Sequence, residues 1–313
     1  MYLSESERSE IEILKGKGYS VREIARTLGR SPNTISYELK RVPSGYKAKT
    51  AKLYARVKLK YRRLEWSKIE KNPGLKRYII EKLKARWNPD EISGRMKKEK
   101  QQWYVSKSAI YEWLETARGE RYKKYLYAYR PGRRHKKKDG LNGQILHMTP
   151  IELRSVGIER RSRYGHWESD CMLSKRGAKG GLSTHIERKS RLLVAEKVTD
   201  LSSSEKQKTL TNLTQEFSVK SITFDRGHEN AKHHELGIHT YFCNAYHSWE
   251  KGGVENANKM IRAFLPKKTD FNSVSQEEID HIISIINNKP RKILGYMTAI
   301  EVAVAGKVIN RVS

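Results

Sequence analysis

Three acidic residues stand where a strongly cationic chain has little reason to place them, and they constrain the fold more than any other feature. Asp170 ends the run Tyr164-Gly165-His166-Trp167-Glu168-Ser169-Asp170, whose aromatic and apolar residues read as a strand. Asp225 ends a second such run, Ser221-Ile222-Thr223-Phe224-Asp225, followed at once by the turn residues Arg226-Gly227. Glu255 follows Gly252-Gly253 and opens a helical pattern that stops at Pro266. Two strand ends and a helix start can bring three carboxylates to one point. The chain carries 64 Lys and Arg against 35 Asp and Glu, a formal net charge of +29, so an acidic cluster in it calls for a cation. Mg²⁺ (or Mn²⁺) is the natural one, because it is hard and binds through one or two carboxylates while keeping water and phosphate oxygens in its shell. Two such ions about 4 Å apart stabilise both the attacking and the leaving oxygen of a phosphodiester displacement. Taken singly, each acid reads better as a solvated strand end or helix terminus; the three in this order favour a metal site.

The same net charge demands a polyanion as partner, nucleic acid first. No apolar run approaches membrane-spanning length, and Met1-Tyr2-Leu3-Ser4-Glu5 has no signal-peptide core, so the chain reads as cytoplasmic, nucleoid-associated and without a membrane partner. Cys171 and Cys243 form neither a disulfide framework nor a zinc pattern. The histidines from His228 to His247 lack the paired spacing of structural zinc, while His166 and His247 are placed to touch DNA near the metals. Apolar residues make up 37% of the 313 and recur periodically, which favours two or three folded modules on charged connections.

Residues 1–50 read as a helix-turn-helix domain. Ser4-x-x-Glu7 and Ser20-x-x-Glu23 are capping boxes, Gly29 makes the turn, and Ser31-Pro32 starts a third helix. Opposite its buried Ile35 and Leu39, that helix shows Asn33, Ser36, Tyr37, Lys40 and Arg41, suited to base edges and phosphates. Residues 51–72 form a basic linker or helical extension. A second trihelical pattern spans 73–117, with Asn88-Pro89-Asp90-Glu91 as a cap; its last helix turns Ala109, Ile110, Trp113 and Leu114 inward and Lys107, Ser108 and Tyr111 outward. Two such modules, linked at high effective concentration, read a longer stretch of duplex than one. Residues 118–155 form a basic linker in which Lys136 and Lys137 belong to a run expected to order on phosphates. From 156 to 290 the pattern runs three strands, a helix, a strand, a helix and a short strand before further helices, an α/β order that gives a mixed sheet flanked by helices. Residues 291–313 read as a C-terminal helical tail.

Several motifs together resemble insertion-sequence family thirty transposases: Gly165-His166-Trp167-Glu168-x-Asp170, Glu187-Arg188-Lys189-Ser190-Arg191, Asp225-Arg226-Gly227, Glu255-Asn256-x-Asn258 and Asn288-x-Pro290-Arg291-Lys292-x-Leu294-Gly295. His247-Ser248-Trp249 joins them without its usual intervening proline, and Ala299 stands where the family usually has proline. The resemblance covers nearly the whole chain. It implies a ribonuclease-H-like, integrase-like catalytic domain after the two all-α modules, with Asp170, Asp225 and Glu255 as an Asp-Asp-Glu triad holding two Mg²⁺ (or Mn²⁺) ions. It also implies cleavage at element ends and joining of 3′ hydroxyls to target DNA. Double-stranded DNA, as terminal inverted repeats and as target, is then the partner.

Arg262 lies seven residues after Glu255, two helical turns on, which puts a guanidinium beside the metals; Lys259, one turn on, acts as a point charge or as solvated surface. Glu168 and Glu250 are rival carboxylates. A transposon has two ends and one chain supplies one triad, so the active species is expected to be a homo-oligomer, at least a dimer. Two rival functions are weighed: a catalytically inactive DNA-binding regulator, opposed by the intact acids, and a nuclease of RNA–DNA hybrids, which has no use for duplex-reading modules.

Overall fold

The computed structural model describes residues 3–42, 45–65, 67–126, 145–244 and 247–310; Lys136 and Lys137 lie outside them. In chain order the helices are α1 (Glu5–Gly16), α2 (Val21–Thr27), α3 (Pro32–Leu39), α4 (Ala48–Glu65), α5 (Lys68–Lys71), α6 (Pro73–Lys84), α7 (Pro89–Lys98), α8 (Lys107–Leu114) and α9 (Val156–Glu159). There follow β1 (His166–Leu173), β2 (Gly181–Glu187), β3 (Leu193–Val198), α10 (Ser203–Glu216), β4 (Ser221–Phe224), β5 (His239–Phe242), α11 (Gly252–Ile261), α12 (Gln276–Asn287) and α13 (Ala299–Ala305). The chain divides into two compact units, Met1–Glu81 with Val105–Lys124, and Lys82–Tyr104 with Tyr125–Ser313.

In the first unit the expected local signals operate. Ser4 and Glu7 cap α1 reciprocally, Glu7 N donating to Ser4 Oγ at 3.1 Å and Ser4 N to Glu7 Oε2 at 2.6 Å. Ser20 and Glu23 do the same for α2, and Ser31 caps α3 with Pro32 in its first turn. Gly29 turns the chain between α2 and α3 at φ +59°, a left-handed conformation that a side chain would strain. Leu3, Ile11, Ile24, Ala25 and Ile35 close the core. A charged lock spans its edge: Glu38, 2% exposed, accepts from Arg8 Nε at 2.7 Å and from Arg41 Nε at 2.6 Å. The helices expected for the second trihelical module form as α6, α7 and α8, and α8 buries Ile110, Trp113 and Leu114 as expected. Of these, α8 belongs to the first unit and α7 to the second.

The second unit is built on a five-stranded mixed sheet of order β3-β2-β1-β4-β5. The first three strands are antiparallel, while β4 pairs parallel with β1 and β5 parallel with β4. Alternation along the strands sends side chains to two cores. Met172, Leu182, Ile186, Leu193 and Ala195 pack with Val254, Ala257 and Ile261 of α11 and Ile279 to Ile286 of α12. Trp167, Ile222, Phe224 and Phe242 pack on the other face with Leu210 and Leu213 of α10, Ala303 of α13 and Val308.

Three local expectations are corrected. Asp170 lies inside β1, because pairing with β2 runs on to Leu173 opposite Gly181. Between β4 and β5 the chain makes two short 3₁₀ turns, His228–Asn230 and His233–Leu236, in place of a helix. The helix of Glu255 starts two residues early, at Gly252, and ends at Ile261, well before Pro266.

Glu38→Gln should destabilise the first unit by about 3–5 kcal/mol, since it leaves buried Arg8 without its counter-charge. Urea unfolding of the full chain followed by helical circular dichroism measures this, and a loss below about 1 kcal/mol would show the lock to be dispensable.

Candidate active site

Asp170 leaves β1 on the face covered by α11, and Asp225 follows the last residue of β4, the parallel neighbour of β1. Their carboxylates meet on one ammonium: Lys251 Nζ lies 3.1 Å from Asp170 Oδ1 and 3.0 Å from Asp225 Oδ2. Lys251 is 5% exposed, so its charge is sheltered from water. Burial works against that charge, but the two aspartates outweigh it and push the Lys251 pKa up. Burial likewise acts to raise the Asp225 carboxyl, and Lys251 overrides it to hold that pKa below the ordinary range.

Two amides set the carboxylate orientations. Asn258 Nδ2 donates to Asp170 Oδ2 at 2.8 Å, and Asn230 Nδ2 to Asp225 Oδ1 at 3.2 Å. The Oδ1 atoms of Asn258 and Asn230 are buried without a hydrogen-bond partner. Glu229 joins from the turn after Asp225; burial and then the Asp225 charge push its pKa up. Glu255 sits half-buried in the first turn of α11. Among the described residues no three His, Cys, Asp or Glu side chains gather closely enough to hold one metal ion, so the structure assembles the two aspartates and leaves Glu255 outside their pair.

The rival acid Glu168 has another task. It is fully buried, accepts from Arg188 Nη1 at 2.5 Å, and takes the Val254 N–H at 3.0 Å with its second oxygen. Arg188 is itself 2% exposed; burial pulls its pKa down to about 10 against the pull of Glu168. A Cβ on Gly253 would come 2.5 Å from Glu168 Oε2, so the glycine lets the start of α11 close on the carboxylate. Glu168 therefore anchors the helix that carries Glu255, satisfying an orphan N–H of its first turn. Glu250 accepts from the Asn244 backbone N–H at 2.8 Å and shapes the preceding loop.

The remaining predicted residues separate. Arg262 is the C-cap of α11: its guanidinium donates to the Leu173 and Pro266 carbonyls and lies 5.1 Å over the Phe271 ring, which ties it to the end of β1. Lys259 is exposed on α11. His166 is buried, shares a 2.8 Å hydrogen bond through Nδ1 with Ser221 Oγ, and has its pKa lowered to about 4 by burial and neighbouring cations. It is a neutral residue of the β1–β4 seam. In the first unit Asn33, Tyr37 and Lys40 are exposed on α3 and Ser36 is half-buried. Arg41 is drawn to Glu38 and stacks 4.9 Å from the Tyr37 ring, whose other neighbour is Lys58 Nζ at 5.2 Å. Lys107, Ser108 and Tyr111 are exposed on α8.

Glu168→Gln should lower stability by about 3–5 kcal/mol by stranding buried Arg188, whereas Glu255→Gln should shift it by no more than about 0.5 kcal/mol. Calorimetric unfolding of both variants decides between holder and free acid; equal losses would contradict the assignment.

Residues 1–42 match a family described as a helix-turn-helix domain. The chain is 33% identical to the transposase InsI for insertion sequence element IS30A of Escherichia coli (strain K12), over 99% of this chain and 85% of that one. It is 32% identical to the transposase for insertion sequence element IS1086 of Cupriavidus metallidurans, over 96% and 93%, and 31% identical to that for IS4351 of Bacteroides fragilis, over 95% and 94%. At that identity along nearly its whole length, the chain belongs to the IS30 family of transposases.

Proposed function

We propose that this chain is a metal-dependent DNA transposase that binds the terminal inverted repeats of its element, cuts the phosphodiester bonds at the ends and joins the 3′ hydroxyls to target DNA. The observation that carries this reading is the convergence of Asp170 and Asp225 on a single buried cation, one turn ahead of Glu255. A ribonuclease-H-like domain is supported by the sheet order, three antiparallel strands with β4 and β5 added parallel to β1.

The residues present fit a hard divalent ion. The donors are carboxylate and amide oxygens, two of the amide oxygens lack partners, and the pair of aspartates already brackets a positive charge. Asp170, Asp225 and Glu255 would hold Mg²⁺ or Mn²⁺, with Lys251 withdrawing from between the aspartates. When bound, two such ions supply Lewis acidity to the attacking and leaving oxygens. Asn258 and Asn230 keep the two aspartates in fixed orientations, and Glu168 holds the start of α11, the helix from which Glu255 would join them.

Recognition is assigned to the helical modules. Asn33, Ser36, Tyr37 and Lys40 on α3 present donors, acceptors and an aromatic face to the major groove, and Lys107, Ser108 and Tyr111 do so on α8. Lys136, Lys137 and Lys259 add sequence-independent phosphate attraction. Two ends need two triads, so the working species is a homo-oligomer of at least two chains.

Asp170→Asn, Asp225→Asn and Glu255→Gln should each reduce Mg²⁺-dependent cleavage and strand joining by at least about 1000-fold while end-DNA affinity stays within about twofold. Gel assays on labelled element ends measure both. Efficient cutting by any one variant would remove that residue from the triad, and loss of binding with loss of cutting would undo the division of labour.

A further inference from the structure

We infer that the second unit carries a phosphate-binding cleft, distinct from the carboxylate site, that takes a phosphodiester group of the DNA backbone. The choice of DNA as source rests on the function proposed above. The cleft encloses about 490 Å³ and gathers Arg161, Arg191, Lys289, Arg291 and Lys292 around one carboxylate, Glu91.

That imbalance is what calls for an anion. Lys289 is matched by Glu91 at 3.3 Å, and Arg291 Nη2 has a carbonyl, that of Ile286, at 3.4 Å. Arg191 makes neither contact. It is only 9% exposed, its side chain makes no hydrogen bond or ion pair among the described residues, and Glu168 and Glu187 attract it only without contact, against burial and the Arg161 charge; its backbone holds φ +66°, in the left-handed region. Arg161 Nε is likewise buried without a partner. Burial pulls the pKa values of Arg191, Lys289 and Arg291 down, that of Arg291 to about 10, as happens when cations leave water without full compensation. A buried guanidinium with no counter-ion in contact is costly, and a bound phosphate offsets that cost through bidentate N–H···O contacts.

The turn that presents Arg191 is held by one carboxylate. Glu187 Oε2 accepts from the backbone N–H groups of Lys189 and Ser190, at 2.9 and 2.5 Å, and from Ser190 Oγ at 2.7 Å. The cleft is also walled by Gly252, Asn256 and Met260, one turn apart along α11. At about 100° per residue this stripe lies roughly a quarter-turn round the helix from Glu255. A backbone phosphate held here is registered against the helix that carries Glu255 without touching the reacting phosphate, which makes Arg191 and Lys292 positioning residues.

The test uses the full chain with Arg191→Gln, Lys292→Gln and both, titrated by fluorescence anisotropy against element-end duplex and unrelated duplex over a salt series, with thermal unfolding as the folding check. The double variant should bind both duplexes more weakly and lower the log–log salt slope by roughly two units, each single variant by roughly one. Asp225→Asn should keep the wild-type slope. A wild-type slope in folded variants would overturn the proposal. If inorganic phosphate or a nucleoside triphosphate raises the unfolding temperature of wild type alone while DNA slopes stay unchanged, the cleft serves free anions and the DNA assignment fails. Should Arg191→Gln not fold, Lys292→Gln, altered only at an exposed side chain, still decides. Failure of the transposase reading itself would show separately, as wild-type protein that does not cut element ends in Mg²⁺.

Discussion

Two carboxylates from separate strands stay together in a partly dry pocket only if something positive stands between them, and here that is the Lys251 ammonium. Its contacts at 3.1 and 3.0 Å join β1 to the end of β4 through the loop before α11, and thereby set where that helix begins. Without a counter-charge, like-charged groups at this separation force one of them to protonate. With Lys251 in place, the Asp225 carboxyl is held below the ordinary carboxylate range against its burial. The lysine thus holds the two aspartates together in an arrangement that, on the function proposed above, a divalent ion would use.

Around this centre lies a rigid frame. Glu168 and Arg188 form a buried pair that also takes the Val254 N–H, and Gly253 permits the close approach. Such pairs contribute little net stability compared with apolar packing, yet losing one partner is expensive, so they fix geometry more than they add free energy. The segment Glu187-Arg188-Lys189-Ser190-Arg191 divides its labour accordingly: Glu187 folds the turn, Arg188 locks Glu168, and Arg191 faces the cationic cleft. A single short motif therefore reaches both the start of α11 and the cationic cleft.

What was legible in the sequence was mostly local. Ser4 with Glu7 and Ser20 with Glu23 announce helix starts because both partners lie within one turn, and Ile222 to Phe224 announces a strand by its composition. Features decided by pairing were not legible. Strand β1 outruns Asp170 because β2 extends to Gly181, and nothing in Cys171-Met172-Leu173 marks the end of pairing. The helical spacing from Glu255 to Arg262 does not reveal that α11 stops at Ile261 or that the guanidinium donates to the Leu173 carbonyl. Lys251 gave no signal at all, since one cation among 64 Lys and Arg is unremarkable until the fold buries it between two aspartates. Glu168 shares a strand face with Asp170 and so looked like a rival ligand, whereas its burial against Arg188 makes it a support.

The central claim is that Asp170 and Asp225 form a cation site whose place Lys251 keeps. Titration of the full chain with Mn²⁺, followed by its electron paramagnetic resonance signal, tests it without any DNA. Wild type should bind Mn²⁺, Asp225→Asn should lose at least about tenfold in affinity, and Lys251→Met should bind more tightly because no ammonium competes for the aspartates. Mn²⁺ affinity unchanged by Asp225→Asn, or weakened by Lys251→Met in a folded protein, would contradict the account.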